Sequence, residues 1–502
     1  MLASSDPGTS WTPIPASLGA RLPFPVEPGS GRGRRHGTSS DEPFDRWFRY
    51  PAGFASDYAS LLLERLGLRP GGMIVDPFAG SGVTGTAARG SGMSFVGIET
   101  HPLIAELANL KLRRPPAVPS GLIKAAADIA DEAAAAPEDM DHAPDSLPDL
   151  VRRSFAPQAL GQLLAMRRLV RERGQETWAS YLKWALLGTL RDVASVRVGW
   201  PYQRPTIGRR APHADPVARF MRRAAMIAED LTLVPAAPSG RTQAVVACGD
   251  SRDAGAWHRC VPAPADGCVS SPPYLNNFDY ADATRLELYF WGDVTSWADM
   301  CHEVRSGMIV ATTQQSRVQA GREALESLSR YGATGEEIAR LTWRLTAERK
   351  GRNRGKEYDQ VVPSYFLGIS LVLENLASAL KPGAPAVWLI GDSAPYGVYI
   401  DTPAIIGRLA SEHGLAVEQD MLLRHRGDRW AGNATRHQEK LSERLVLFRR
   451  TSKTDAEQLS LLLPCRRECR QKFLPQGARG SGTLEDDVMG REVARVAAED
   501  LH

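Results

Sequence analysis

The 502-residue chain has few cysteines, little net charge and no long apolar run, and each shortage closes off a class of protein. Its six cysteines, Cys248, Cys260, Cys268, Cys301, Cys465 and Cys469, include no C-x-x-C pair. Neither a disulfide framework nor a metal site is therefore expected. No stretch of 18 apolar residues occurs, which removes the usual sequence signature of a membrane-crossing helix. The opening MLASSDPGTSW carries neither the basic nor the apolar region of a secretory signal, so the expected location is a reducing cytoplasm. Lys plus Arg number 61 against 58 Asp plus Glu, a net charge of +3, so any surface for a polyanion has to be a local patch. No Pro-Asp-(Asp/Glu)-x-Lys-like cluster stands out, so no nuclease centre is expected. What remains, 43% hydrophobic and 24% charged, is the composition of a globular chain large enough for one big domain with insertions or two ordinary ones.

Residues 1–40 are rich in Pro, Gly, Ser and Arg without periodicity, which predicts a disordered arm. Order is expected from about Phe44, with an amphipathic helix over Asp57 to Leu66. A strand–helix–strand rhythm then follows within residues 41–110: Met73 to Val75, Gly80 to Gly92, Ser94 to Glu99. Residues 111–240 interrupt it with an Ala-rich helix, an acidic Pro-containing linker, and apolar residues at helical spacing such as Leu160, Leu163, Tyr181, Trp184 and Leu187. It resumes in 241–450, with strands expected at 244–248, 267–270, 386–392, 417–423 and 444–448, and a charged helical insertion over about 300–360. Residues 451–502 read as a polar tail. Seven strands interleaved with helices predict an α/β fold, a seven-stranded mixed sheet with helices on both faces.

Gly80-Ser81-Gly82-Val83-Thr84-Gly85 matches G-x-G-x-x-G between a strand and a helix, the spacing of a dinucleotide-binding turn. The glycines let a ligand approach the backbone, and a helix N-terminus offers unpaired N–H groups. Asp76-Pro77-Phe78 between strand and glycines argues against a pyrophosphate, because dinucleotide folds use a short direct turn there. An acid at that strand end suits instead a ligand with a positive centre and an ammonium group, as S-adenosylmethionine (AdoMet) has. Glu99, 19 residues beyond Gly80, is placed for the two ribose hydroxyls, and Asp250 after the third strand for the adenine amine. The fourth strand ends in Ser271-Pro272-Pro273-Tyr274, where paired prolines stiffen the turn.

Asp-Pro-Phe-x-Gly-x-Gly together with a strand-end Ser-Pro-Pro-Tyr resembles the DNA amino-methyltransferases, and the serine points to their cytosine-N4 branch. Supporting flanks are Tyr50-Pro51-Ala52-Gly53-Phe54 with Asp57, Leu275 to Tyr280, Tyr365-Phe366, Lys381-Pro382-Gly383 and Gly391-Asp392-Ser393. The likeness covers about 45–110 and 244–450. It implies a Rossmann-like AdoMet-dependent methyltransferase fold. The cofactor would be held by Asp76, Phe78, Gly80, Gly82, Glu99 and Asp250, with Tyr50 and Phe54 closing over its methionine end. The implied reaction is methyl transfer to the exocyclic amine of a base flipped out of double-stranded DNA. Ser271 Oγ and the Pro272 carbonyl would accept hydrogen bonds from the amine, Pro273 would hold the turn, and Tyr274 would stack on the base. The implied setting is restriction-modification or phage defence, with any endonuclease or defence protein a separate partner.

The order departs from the arrangement in which Ser-Pro-Pro-Tyr comes first: the glycine turn leads by about 190 residues. Target recognition therefore has two candidate regions. In 111–240, Arg204, Arg209, Arg210, Arg219, Arg222 and Arg223 cluster with Trp200 and Tyr202. In 300–360, the loop residues Arg349, Lys350, Arg352, Arg354 and Lys356 suit phosphate contact. Adenine-N6 enzymes and guanine-N2 enzymes of tRNA are the alternatives within this chemistry, although the latter usually carry Asp where Ser271 stands. A catalytically silent nucleic-acid-binding subunit or a NAD-dependent oxidoreductase is disfavoured by the intact Asp76-Pro77-Phe78 and Ser271 to Tyr274.

Overall fold

The computed structural model describes residues 42–50, 54–134, 147–195, 214–234, 242–276, 279–313, 319–353, 355–426 and 440–451. The expected arm and polar tail, Trp200 to Arg210, Arg354, Cys465 and Cys469 lie outside these residues. Seven strands form one sheet: β1 Met73–Asp76, β2 Ser94–Glu99, β3 Ala244–Cys248, β4 Gly267–Ser270, β5 Pro385–Gly391, β6 Leu415–Arg426 and β7 Leu441–Arg450. Their spatial order is β3-β2-β1-β4-β5-β7-β6. The first five are parallel, and β7 runs antiparallel to both β5 and β6. All seven fall where the hydrophobic runs predict, because the central strands are apolar along their whole length. β4 and β5 are buried at every position, as parallel strands covered on both faces require.

Among the described residues, fourteen α-helices of six or more residues accompany the sheet: α1 Ser56–Arg65, α2 Val83–Gly90, α3 Pro102–Leu112, α4 Ser120–Ala134, α5 Asp149–Ser154, α6 Pro157–Glu172, α7 Ala179–Val193, α8 Pro216–Leu231, α9 Ala254–Cys260, α10 Arg285–Trp291, α11 Ala320–Leu328, α12 Ala333–Lys350, α13 Tyr358–Ala379 and α14 Thr402–Glu412. One face of the sheet is covered by α1, α2 and α3, through Leu62, Ala88 and Ala108 against Ile74, Val269 and Leu447. The other is covered by α13 and α14, with α12 outside them. By length and composition α13 alone among the described residues would pass for a membrane span, yet 67% of its apolar window is buried inside the fold. It starts seven residues before Tyr365, and Pro363 lies inside it.

Helices α4 to α8 build a separate helical layer on the outer side of α3. Its core takes in Trp47, Phe48 and Tyr50 from the entry segment and Leu286, Phe290, Met300 and Val304 from the stretch after Tyr274. Two buried ion pairs fasten that stretch. Arg191 of α7 meets Glu287 of α10 at 2.5 Å, and Arg305 pairs with Asp279. Asp230 of α8 is fully buried and accepts from the Phe44 amide at 2.7 Å and Trp47 Nε1 at 2.8 Å, with Arg46 beside it. The region predicted as an insertion therefore shares one core with residues flanking both motifs.

Candidate active site

The strand order reverses between β1 and β4, and in open parallel sheets the crevice at such a switch point, beyond the strand carboxyl ends, is where ligands bind. Asp76, Glu99 and Ser270 end β1, β2 and β4 on that edge, and Asp250 follows β3 by two residues.

The turn after β1 is shaped by its glycines. Gly80 and Gly82 have φ of +50° and +83°, a left-handed backbone that side-chain-bearing residues disfavour. Gly82 also caps the N-terminus of α2. The turn lies against β2: the Ala79 amide donates to the Ile98 carbonyl at 3.0 Å. A Cβ on Gly97 would come within 2.6 Å of Ala79 Cβ.

Glu99 completes this seating. One carboxylate oxygen accepts from the Gly80 amide at 2.9 Å, the other from the His101 amide at 2.8 Å. Burial pushes its pKa up to about 7, against the pull of those amides, with the Asp76 charge adding to the rise. Asp76 accepts from Ser270 Oγ at 2.5 Å, the Phe78 amide at 2.9 Å and Thr84 Oγ1 at 2.7 Å. It thereby ties β1, β4 and α2 together, and both its oxygens are engaged within the protein. Its pKa is likewise raised by burial, to about 6. Asp250 is half-buried and meets Arg252, with Nη2 at 2.6 Å, and Arg252 Nη2 also donates to the Gly307 carbonyl at 3.1 Å.

At the end of β4, Ser271 Oγ donates to the Leu389 carbonyl of β5 at 3.2 Å. The Tyr365 hydroxyl donates to the Pro273 carbonyl at 2.9 Å, so α13 holds the turn from below. Tyr274 is buried, and its hydroxyl has no hydrogen-bond partner among the described residues. Burial drives that phenol well above its ordinary pKa, reinforced by Glu443 and opposed by Arg426 and Ser271. The Arg426 guanidinium lies over the Tyr274 ring at 5.2 Å. The face expected to be open for stacking is thus covered by a cation here.

Tyr280 links the two halves. Its ring lies 6.2 Å from Tyr50, and its phenol, pushed up to about 12 by burial, is influenced by Glu99 on one side and by Arg426 and Glu443 on the other. Tyr50 stands edge-on to His101 at 6.3 Å. His101 is held neutral by burial, its pKa down to about 3, with Nε2 2.6 Å from the Thr284 hydroxyl. Phe54 packs into the core beside Tyr58 and Leu62, and Phe78 stands edge-on to Trp388. Pro51 to Gly53 lie outside the described residues. Thr84, Tyr280 and Arg426 were not singled out from the sequence; only Tyr280 carried a signal, as the end of the stretch following Ser-Pro-Pro-Tyr.

The basic loop reaches the rim of this crevice. Tyr396, in the turn after β5, donates to the Lys356 carbonyl at 2.9 Å and carries the Arg352 guanidinium 4.6 Å over its ring. Arg349 is engaged with Asp359 at 2.9 Å and Arg352 with Glu348 at 3.1 Å. Lys350, at the end of α12, is exposed.

A seven-stranded sheet in this order, with its last strand inserted antiparallel and acids closing β1 and β2 beside a glycine turn, defines a Rossmann-like AdoMet-dependent methyltransferase fold. Residues 7–110 match the family model described as DNA methylase, N6_N4_Mtase. The type II methyltransferase M.AvaI of Nostoc sp. is 28% identical over 162 residues, 32% of this chain and 32% of that protein. M.BsoBI of Geobacillus stearothermophilus is 37% identical over 65 residues, 13% of each chain. The chain thus spans about a third of the length of the first of these relatives. Among solved structures, the rRNA methyltransferase aviRa from Streptomyces viridochromogenes overlays 80% of this chain and 86% of that one at 13% identity and a TM-score of 0.27; the fold assignment rests on the strand order. Over these stretches the chain is similar to the amino-methyltransferases of DNA, and the matches do not divide the N4 branch from the N6 branch.

The fold and the likeness to DNA methylases imply AdoMet as the cofactor, and the residues present fit it. Glu99 is a buried carboxylate whose two oxygens each keep a lone pair for a ribose hydroxyl after accepting one backbone N–H. Gly80 and Gly82 leave the turn bare of side chains where a ligand would lie. Asp250, 31% exposed at its side chain, keeps acceptor capacity for an adenine amine.

Proposed function

We propose that this chain transfers a methyl group from AdoMet to the exocyclic N4 amine of cytosine in double-stranded DNA, acting on a flipped-out base in a restriction-modification or phage-defence setting. The observation that carries the reading is the direction of the Ser271 hydroxyl. Its proton is spent on the Leu389 carbonyl at 3.2 Å, which leaves its lone pairs as acceptors. An exocyclic amine is a poor nucleophile because its lone pair is delocalised into the ring. Ser271 Oγ and the Pro272 carbonyl, each accepting one N–H, draw the nitrogen towards sp³ geometry and aim its lone pair; this is positioning with electrostatic preorganisation. AdoMet, when bound, supplies an electrophilic methyl on a sulfonium. As the nitrogen takes the methyl, the methyl–sulfur bond would break to leave a neutral thioether, and the cationic amine then releases its extra proton to solvent. Pro272 and Pro273 hold the acceptors rigid, and Tyr274 supplies the aromatic surface at the base site. Duplex phosphates would meet the rim loop, where Lys350 and Lys356 are exposed or close to the surface.

Labelled AdoMet incubated with the protein and a mixture of unmethylated genomic DNA and total RNA, followed by nucleoside analysis, tests this. Label in N4-methylcytosine of DNA is the expected result. Label confined to RNA would overturn the substrate, and label in N6-methyladenine the base.

The hydrogen bond from Tyr365 to the Pro273 carbonyl gives a smaller effect. Tyr365→Phe removes one buried hydrogen bond worth about 1 kcal/mol, so kcat should fall three- to tenfold, roughly. AdoMet affinity, measured by calorimetry, should stay unchanged because Tyr365 lies on the Ser-Pro-Pro-Tyr side of the crevice.

A further inference from the structure

Arg426 is the last residue of β6, 18% exposed at its side chain, and it occupies the ground that the target base needs. Its guanidinium covers the Tyr274 ring at 5.2 Å. One Nη2 donates to the Asp392 carbonyl at 2.5 Å and lies 3.8 Å from that residue's carboxylate. Its Nε is buried and finds no hydrogen-bond partner among the described residues. Gly391 makes this packing feasible: a Cβ there would sit 2.8 Å from both Tyr274 Cδ2 and Arg426 Nη2. The arrangement is a flat, delocalised cation stacked on a tyrosine, beside the acceptors Ser271 Oγ and Pro272 C=O, with a buried donor unspent. Buried polar groups are almost always paired, so the unspent Nε–H disfavours this resting position and favours a move towards an acceptor that arrives with a ligand.

We infer that Arg426 selects the base: it holds the Tyr274 face in the free protein and, when the base enters, moves to its Watson–Crick edge and donates to the acceptors next to the reactive amine. This rests on the amino-methyltransferase reading above. The edges of the two candidate bases differ beside the amine. Cytosine presents N3 and then O2, two adjacent acceptors; adenine presents N1 and then a C–H. Arginine has donors only, set in a planar fork that matches two neighbouring acceptors. Cytosine satisfies both prongs, whereas adenine leaves one donor buried and unpaired, which is the strongest form of discrimination a polar site has. Asp392, itself anchored by the Ser442 amide and hydroxyl at 2.7 Å each, is the fixed point about which the guanidinium turns.

Wild type, Arg426→Ala and Arg426→Lys are compared on unmethylated genomic DNA with labelled AdoMet, with nucleosides resolved after digestion and AdoMet affinity measured by calorimetry. The expected result is at least thirtyfold less N4-methylcytosine with Arg426→Ala, partial recovery with the single ammonium of Arg426→Lys, and a raised ratio of N6-methyladenine to N4-methylcytosine in both. AdoMet affinity and melting temperature should stay at wild-type values. An Arg426→Ala variant that methylates cytosine within threefold of wild type, or that loses AdoMet binding and activity together, overturns the inference and leaves the reaction standing. Wild type that labels only adenine, or no DNA at all, overturns the inference together with the proposed base or substrate.

Discussion

Ser271→Ala is expected to lower single-turnover methyl transfer by about 10² to 10³-fold, the range found when one preorganised hydrogen-bonding group at a reacting centre is removed, and to leave AdoMet affinity within about twofold. The second half of that statement follows from the geometry. Ser271 bonds to Leu389 of β5, whereas the glycine turn proposed to seat the cofactor is held by Glu99 and Asp76. The two sets of contacts share no side chain. Ser271 is only partly buried, so alanine leaves no large cavity, and a drop in melting temperature of more than a few degrees would count against a purely chemical role. Ser271→Thr keeps the hydroxyl but adds a methyl beside two rigid prolines, and should recover a part of the activity. A Ser271→Ala enzyme that transfers at the wild-type rate would show that the amine is activated elsewhere.

How far this site was visible beforehand depends on sequence separation. The glycine turn, Glu99, Asp250 and the Ser-Pro-Pro-Tyr turn are local patterns at strand ends, and the central strands β1, β2 and β4 were readable because a buried parallel strand is apolar throughout. Tyr280 and Arg426 were not readable in the same way. Arg426 ends a 12-residue edge strand and meets Tyr274, 152 positions earlier in the sequence; nothing in its neighbours, Leu423 to His425, announces the contact. The helical layer was legible as helices but not as an assembly: the pairing of Arg191 with Glu287 joins segments 96 residues apart, so residues read as an insertion prove to buttress both motifs. α13 starts at Tyr358 and runs through Pro363, a residue type that usually marks a helix boundary. Pro363 is the sixth residue of α13, where its missing N–H gives up the bond to the Asp359 carbonyl, and the buried Val361 and Val362 hold the earlier turn in the core. The Asp250 pairing with Arg252 is the exception, a contact two residues apart that hydrogen-bonding chemistry alone predicts.

Glu99→Ala should raise the AdoMet dissociation constant by at least about a hundredfold, and the pH dependence of binding should identify why. Two hydrogen bonds from ribose hydroxyls to an ionised carboxylate are together worth about 3 kcal/mol or more, which is over two decades in affinity. Alanine in addition strands the Gly80 and His101 amides that Glu99 now satisfies. In the free protein burial holds the Glu99 pKa at about 7, above its ordinary 4.5. Hydroxyls donate, so they favour the ionised form. Below that pKa, binding has to expel a proton, and affinity should therefore rise as pH rises, by roughly tenfold between pH 6 and pH 8, flattening above. Glu99→Gln should abolish that slope as well as weaken binding. Stability of the free protein runs the opposite way. A carboxyl with a raised folded pKa binds protons more tightly folded than unfolded, so its contribution is fully present below pH 4.5 and is lost as pH climbs to about 7, with Asp76, held at about 6, adding in the same direction. The melting temperature of the free protein should thus fall across the window in which AdoMet affinity grows, and the stabilisation conferred by AdoMet should be larger at pH 8 than at pH 6. A cofactor affinity independent of pH in this range would mean that Glu99 is not the group holding the ribose.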